Sequence, residues 1–166
     1  MTRPDWDCYF LNVAREIAQR ATCISRLSGA VIVKDKRIIA TGYNGWAAGM
    51  RNCSDMFHLP DKPCPRLANG CKTGEGYGNL CKAIHAEQNA LLNCREDPAG
   101  ATLYLYSESM RSGGDHFVHG FCLGCLSSML NAKITKGVIR SVVGKDIKEF
   151  VFSEEDLKRA YLERKV

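Results

Sequence analysis

No stretch of this chain approaches the ~18 consecutive apolar residues that a membrane-spanning helix requires. The opening Met1-Thr2-Arg3-Pro4-Asp5-Trp6-Asp7 holds no apolar signal core. A cytoplasmic protein without a membrane partner is therefore expected. Internal repeats and low-complexity tracts are missing too, which excludes a solenoid or a tail-like segment. Charge of one sign is scarce: 23 Lys and Arg face 18 Asp and Glu, a net charge of +5 with a pI near 8.7. That mild excess suits a phosphorylated small molecule. It falls short of a nucleic-acid groove, because no basic cluster accompanies Tyr104, Tyr106, Phe117 and Phe121. Cysteine, by contrast, is abundant. Nine of the 166 residues are Cys, an odd number with no secretion signal, so metal binding explains them better than a disulfide framework.

The length suits one domain, taken as residues 1–166. Phe10, Val13, Ala14, Ile17 and Ala18 recur at helical spacing and predict a helix over 5–20. Two Val- and Ile-rich runs, 29–34 and 37–41, flank Lys34-Asp35-Lys36 and predict a hairpin that ends in Tyr43-Asn44-Gly45. Residues 46–81 show no period and hold three prolines and four cysteines, Cys53, Cys64, Cys71 and Cys81. A loop that long in a compact domain is functional or cross-linked. A helix over 85–94, a strand over 101–106, a helix over 123–131, a strand over 136–143, a short strand over 149–152 and a helix opened by Ser153 complete an alternating α/β pattern.

The pattern with the most chemistry is His85-Ala86-Glu87 followed, thirty-five residues after Glu87, by Cys122-Leu123-Gly124-Cys125. One His and two Cys supply the three protein ligands of a catalytic zinc, which keeps a fourth position open for water. Cys122 and Cys125, three apart at a helix start, project from one face, and a helix N-terminus favours thiolates. Glu87, two residues from the His, is placed to shuttle a proton without ligating the metal. His-x-Glu followed by Cys-x-x-Cys is the mark of zinc deaminases of nucleobases.

Around this pattern stand Ala21-Thr22-Cys23, Gly29-Ala30-Val31-Ile32-Val33-Lys34-Asp35, Thr41-Gly42-Tyr43-Asn44-Gly45 and Ile84-His85-Ala86-Glu87-Gln88-Asn89-Ala90, in that order. With these the chain resembles the deoxycytidylate (dCMP) deaminase branch of the cytidine deaminase superfamily, over about residues 6–139. The resemblance implies a three-layer α/β/α fold with a central mixed sheet. It also implies a catalytic zinc on His85, Cys122 and Cys125, Glu87 as the proton shuttle, and hydrolytic deamination of dCMP to dUMP for thymidylate synthesis. It further implies a homo-oligomer, a hexamer in many members, with dCTP and dTTP as effectors. Asn44 and Gly45 lie in the nucleotide-contacting segment. A second, structural zinc occurs in some members between the first helix region and the long loop; Cys23 and Cys53 match that place, with Cys71 and Cys81 as the other candidates and Cys64 able to displace any of them. Arg26, ahead of the first strand, is the candidate for phosphate, with Arg111 as its rival.

Two departures bear on substrate. Phe121 stands where the family has Pro, and an extended loop over 107–121, with Ser112-Gly113-Gly114-Asp115-His116 and His119, precedes Cys122. They leave room for another nucleotide, nucleoside or modified base, or for a non-catalytic zinc-stabilised module on the same scaffold.

Overall fold

The computed structural model describes residues 2–58, 61–71, 79–111 and 117–163. His116 and the rest of 112–116 lie outside the described residues. Five strands form one mixed sheet in the order β2-β1-β3-β4-β5. They are β1 (Arg26–Lys34), β2 (Arg37–Tyr43), β3 (Thr102–Ser109), β4 (Lys136–Val143) and β5 (Asp146–Ser153). Only β3 and β4 pair in parallel, and α5 (Leu123–Asn131) lies in the crossover between them. The helix α1 (Trp6–Ala18) covers one face of the sheet, while α4 (Ala86–Asn93), α5 and α6 (Glu154–Glu163) cover the other. This is the expected three-layer architecture.

The local chemistry explains the elements. The Asp5 carboxylate caps α1 by accepting the Cys8 amide at 2.7 Å, and Phe10, Leu11, Ala14 and Ala18 turn inward at helical spacing. Asp35 and Lys36 both adopt positive φ, 50° and 59°, and so form the two-residue turn whose twist matches an antiparallel hairpin. Ser153 and Asp156 close a capping box on α6: the Ser153 amide donates to the Asp156 carboxylate at 3.0 Å, and the Asp156 amide donates to the Ser153 hydroxyl at 3.2 Å.

Two glycines let helices reach the hairpin. A Cβ at Gly29 would collide with the Ala14 carbonyl of α1, and one at Gly42 would collide with the Ala90 amide of α4. Small side chains on the facing helices, Ala14 and Ala18 on one side and Ala86 and Ala90 on the other, complete the close approach. The helix α4 thus lies tight against β2, and the amides of Asn89 and Asn93 fasten it by donating to the carbonyls of Tyr43 (2.7 Å) and Thr41 (3.0 Å).

Three expectations shift in detail. The segment 46–81 holds two one-turn helices, α2 (Cys53–Met56) and α3 (Pro65–Ala68). The last strand spans eight residues, because β5 pairs along the whole of β4. The extended loop is shorter than its sequence boundaries, since β3 continues through Ser109. Phe121 is buried at 2% exposure, its ring lying over Gly137 of β4 and 5.7 Å from the Phe152 ring. No side chain other than glycine leaves that space at 137. The large residue before Cys122 is therefore accommodated by a gap in the sheet surface.

Candidate metal centre and nucleotide pocket

His85 is the N-cap of α4 and Cys122 the N-cap of α5, so each donor sits where a chain stops being extended and begins to coil. His85 is placed by its neighbour: Ile84 and Gly45 exchange backbone hydrogen bonds of 2.8 and 3.2 Å, which joins the start of α4 to the end of the hairpin. Cys122 is placed by its helix, its sulfur accepting the Cys125 amide at 3.4 Å. The two sulfurs lie 3.3 and 3.4 Å from His85 Nδ1. All three donor atoms fall within 4.8 Å of one another, and among the described residues no other such group of His, Cys, Asp and Glu does so.

The donor set fits zinc: one imidazole and two sulfurs, with no fourth protein ligand. A hydrogen bond from the Cys125 thiol, working against burial and helped by the His85 ring, draws the Cys122 thiol down to about 4. Cys125 moves the other way because it holds the shared proton beside the Cys122 thiolate in a buried position. Burial works to lower the His85 pKa, but the bond to Cys122 and the charge of Glu87 outweigh it and the net shift is upward. A thiolate is thus favoured here by the fold alone, and a thiolate is the ligating form.

Glu87 is 5% exposed in the first turn of α4 and lies outside the donor group. Burial raises its pKa, with the nearby His85 and its own backbone amide opposing that rise. A buried carboxylate displaced upward is suited to accept and return a proton.

His85, Glu87 and Cys122 open into a cavity of about 460 Å³. Arg26 and Asn44 both line it. Asn44 is used up largely in bracing β1: its side chain accepts the Ser28 amide at 2.8 Å and donates to the Arg26 carbonyl at 2.9 Å. The Arg26 guanidinium donates to the Ser107 hydroxyl at 3.4 Å, and Ser107 in turn lies 3.0 Å from Ser28 Oγ. Gly45 is not among the lining residues; a Cβ there would meet Thr22 Oγ1, and its place is in the joint to Ile84.

Cys23, Cys53, Cys64, Cys71 and Cys81 line the same cavity. Burial pushes the Cys53 thiol up to about 11, against a backbone hydrogen bond at Ile24, and the neighbouring Cys23, Cys64 and Cys81 add to the rise. Burial likewise raises Cys81, with Cys23 and Cys64 contributing. Four thiols are therefore neighbours, but no three of them close as the His85 group does.

The described part of the extended loop also faces the cavity, through Phe117 to Phe121. It is fastened to the far edge of the sheet. The Val118 amide donates to Ser141 Oγ at 2.8 Å, the His119 ring meets Phe150 edge-on, and Lys148 Nζ stands 4.4 Å from the Phe117 ring. Sequence reasoning missed Arg66, Ser28 and Ser107 as lining residues. Pro65 after Cys64, the first-position proline of a helix, was the available signal for the turn that presents Arg66.

The family description "Cytidine and deoxycytidylate deaminase zinc-binding region" matches residues 4–141. A deoxycytidylate deaminase of Mycobacterium phage D29 is 48% identical over 113 residues, covering 65% of this chain and 82% of that one. A deoxycytidylate deaminase of Schizosaccharomyces pombe is 35% identical over 141 residues, 85% of this chain but 37% of the yeast protein, so this chain spans little more than a third of that relative's length. The structure of a dCMP deaminase from the cyanophage S-TIM5, in complex with dCMP and dUMP, superposes with a TM-score of 0.58 at 23% identity, covering 86% of this chain and 85% of that one, and supports the fold.

Proposed function

The chain belongs to the cytidine and deoxycytidylate deaminase family, and from that premise we propose that it converts dCMP to dUMP by zinc-dependent hydrolysis. The observation that carries this reading is the closure of His85, Cys122 and Cys125 on one point beside a buried Glu87, in a cavity with arginines on its wall. His85 Nδ1 and the sulfurs of Cys122 and Cys125 would hold the zinc. When bound, zinc supplies the Lewis acidity that brings a water toward deprotonation near neutral pH. Glu87 would carry the water's first proton to N3 of the ring as its oxygen bonds to C4, and then the proton of the added hydroxyl to the amine, which leaves as ammonia when the C4–N bond breaks and the C4 carbonyl forms. Its burial keeps solvent from competing for them. Arg26, held by Asn44 on its backbone and by Ser107 on its guanidinium, presents positive charge to the phosphate. Gly45 serves the same wall indirectly, through the joint that seats His85.

A panel of dCMP, CMP, dCTP, cytidine and deoxyadenosine monophosphate, offered to the zinc-loaded protein, tests the assignment. Turnover confined to dCMP supports it, and turnover of another member of the panel replaces it. The second reading, a related deaminase with a different nucleotide, nucleoside or modified base, is favoured by one observation: Phe117 to Phe121 of the extended loop face the cavity. A non-catalytic module is disfavoured by Glu87, since a buried carboxylate costs stability that a purely structural site has no reason to bear.

We extend the reading to a second, structural zinc drawn from Cys23, Cys53 and Cys81, with Cys64 or Cys71 as the fourth ligand. The mutual influence of Cys23, Cys53, Cys64 and Cys81 supports it, and two zinc ions per chain is the expected content. A cytoplasmic setting suits nine cysteines of which none is paired. No helix among the described residues is long and apolar enough to cross a membrane. Assembly as a hexamer and response to dCTP and dTTP complete the proposal, to be tested by sizing the protein with and without each nucleotide.

A further inference from the structure

We infer that Arg66, carried into the pocket by the cysteine-rich segment, reads the 5′-phosphate alongside Arg26 and is a specificity-determining residue that separates nucleotide from nucleoside. This rests on the reading of the site as a nucleotide deaminase. The charge of the cavity wall is the starting point. Among the described lining residues there are three arginines, Arg26, Arg66 and Arg111, and one carboxylate, Glu87. Glu87 belongs to the zinc end, in the first turn of α4 two residues after His85. The rest of the wall is cationic, and a cavity lined by one sign of charge concentrates the opposite sign.

The three arginines are not equivalent. Arg26 lies at the start of β1, with its guanidinium on Ser107. Arg111 leads directly into 112–116, outside the described residues. Arg66 sits in α3, and its backbone is held on both sides. Cys64, 5% exposed, anchors the residue two before it, Pro65 starts the turn, and the Cys71 amide donates to the Arg66 carbonyl at 3.0 Å. The side chain is half-buried and lines the same cavity as His85 and Cys81. Arg66 therefore shares its wall with the cysteine cluster and the zinc end, on a turn whose own cap is a cluster cysteine. A guanidinium there offers the planar fork that phosphate oxygens accept. The cysteine cluster then has a functional consequence beyond stability: ordering it orders the residue that selects the substrate.

The test uses the full-length, zinc-loaded protein. It measures kcat/KM for dCMP and for deoxycytidine, and the affinities for dUMP and deoxyuridine by calorimetry, in wild type, Arg66→Ala and Arg66→Lys. A charge-assisted hydrogen bond to phosphate sets the expected loss at about 10- to 100-fold. Arg66→Ala should lower the dCMP-to-deoxycytidine ratio by that factor, through KM, and lower the dUMP-to-deoxyuridine affinity ratio alike. Arg66→Lys should restore part of each. A merely structural Arg66 would depress both members of each pair and leave the ratios where they were, which overturns the inference. Wild-type protein that turns over no dCMP would remove the deaminase reading instead, and the affinity ratio would still decide whether Arg66 reads phosphate.

Discussion

Two sets of cysteines, the first represented by Cys122 alone on the wall, meet at the same cavity and differ in how they are held. Cys122 and Cys125 ride on the first turn of α5, over a sheet surface filled by Phe121, and meet a His85 that caps α4. Their donors close to 3.3 and 3.4 Å of His85 Nδ1. Cys23, Cys53, Cys64 and Cys81 come from loops and one-turn helices and remain neighbours without closing. The fold alone brings the His85 donors together, whereas it leaves the loop-borne cysteines unclosed, so a metal bound there would itself have to draw them together. Helix caps and strand pairing constrain the first set, and almost no regular backbone constrains the second.

The contrast is broken most severely at the first set. Cys122→Ser removes the thiolate that the helix start stabilises, and should abolish turnover together with one zinc per chain, read by metal analysis of the purified protein. Zinc retained at the wild-type content would show that the closure is incidental. The next effect is smaller and falls on the second set. Cys53→Ser should lower zinc from two per chain to one and reduce the thermal midpoint by about 5–10 °C, with the remaining zinc still supporting turnover. A wild-type content of one zinc in fully active protein would leave the cluster as free thiols and take the structural zinc away.

The smallest effect lies on the far face of the sheet, away from both sets. Asp7 pairs with Lys136 at 2.8 Å and accepts the Tyr104 hydroxyl at 2.7 Å. Burial works to raise the Asp7 pKa, but those two partners outweigh it and hold the carboxyl below its usual 3.8. A depressed carboxylate contributes stability in full above the unfolded value and loses it as pH falls through the folded value. Asp7 and Lys136 are each more than a third exposed, so the pair is worth under about 1 kcal/mol. Asp7→Asn should therefore cost that little in denaturant unfolding at pH 7 and progressively less as pH falls below 3.8, with zinc content unchanged. A large loss at neutral pH would mean that the pair carries the packing of α1.

The parts of this design that repeat with a period were legible in the sequence. The helices near 5–20 and 123–131, the hairpin and the strand over 136–143 follow from apolar spacing and turn residues, and the structure places them there. His85, Cys122 and Cys125 were legible because metal chemistry restricts both residue type and spacing. Strand order was not, because neighbours such as β1 and β3 are separated by the 67 residues 35–101, a separation that periodicity does not register. Arg66 was missed for a related reason: it lies in a segment with no period, and only its three-dimensional placement brings it to the cavity wall. Asn44 was read as a nucleotide contact, and the structure adds that its amide braces the backbone under Arg26.

Glu87, poised beside a site the fold has already assembled, is the residue proposed to move the protons of dCMP deamination. The most direct test follows the pyrimidine absorbance of dCMP with wild type and with Glu87→Gln, and measures zinc in both preparations. Wild type should form dUMP, and Glu87→Gln should retain its zinc and lose at least about 10³-fold in kcat. Near-normal turnover by the zinc-loaded variant, or no turnover by zinc-loaded wild type, would contradict this assignment.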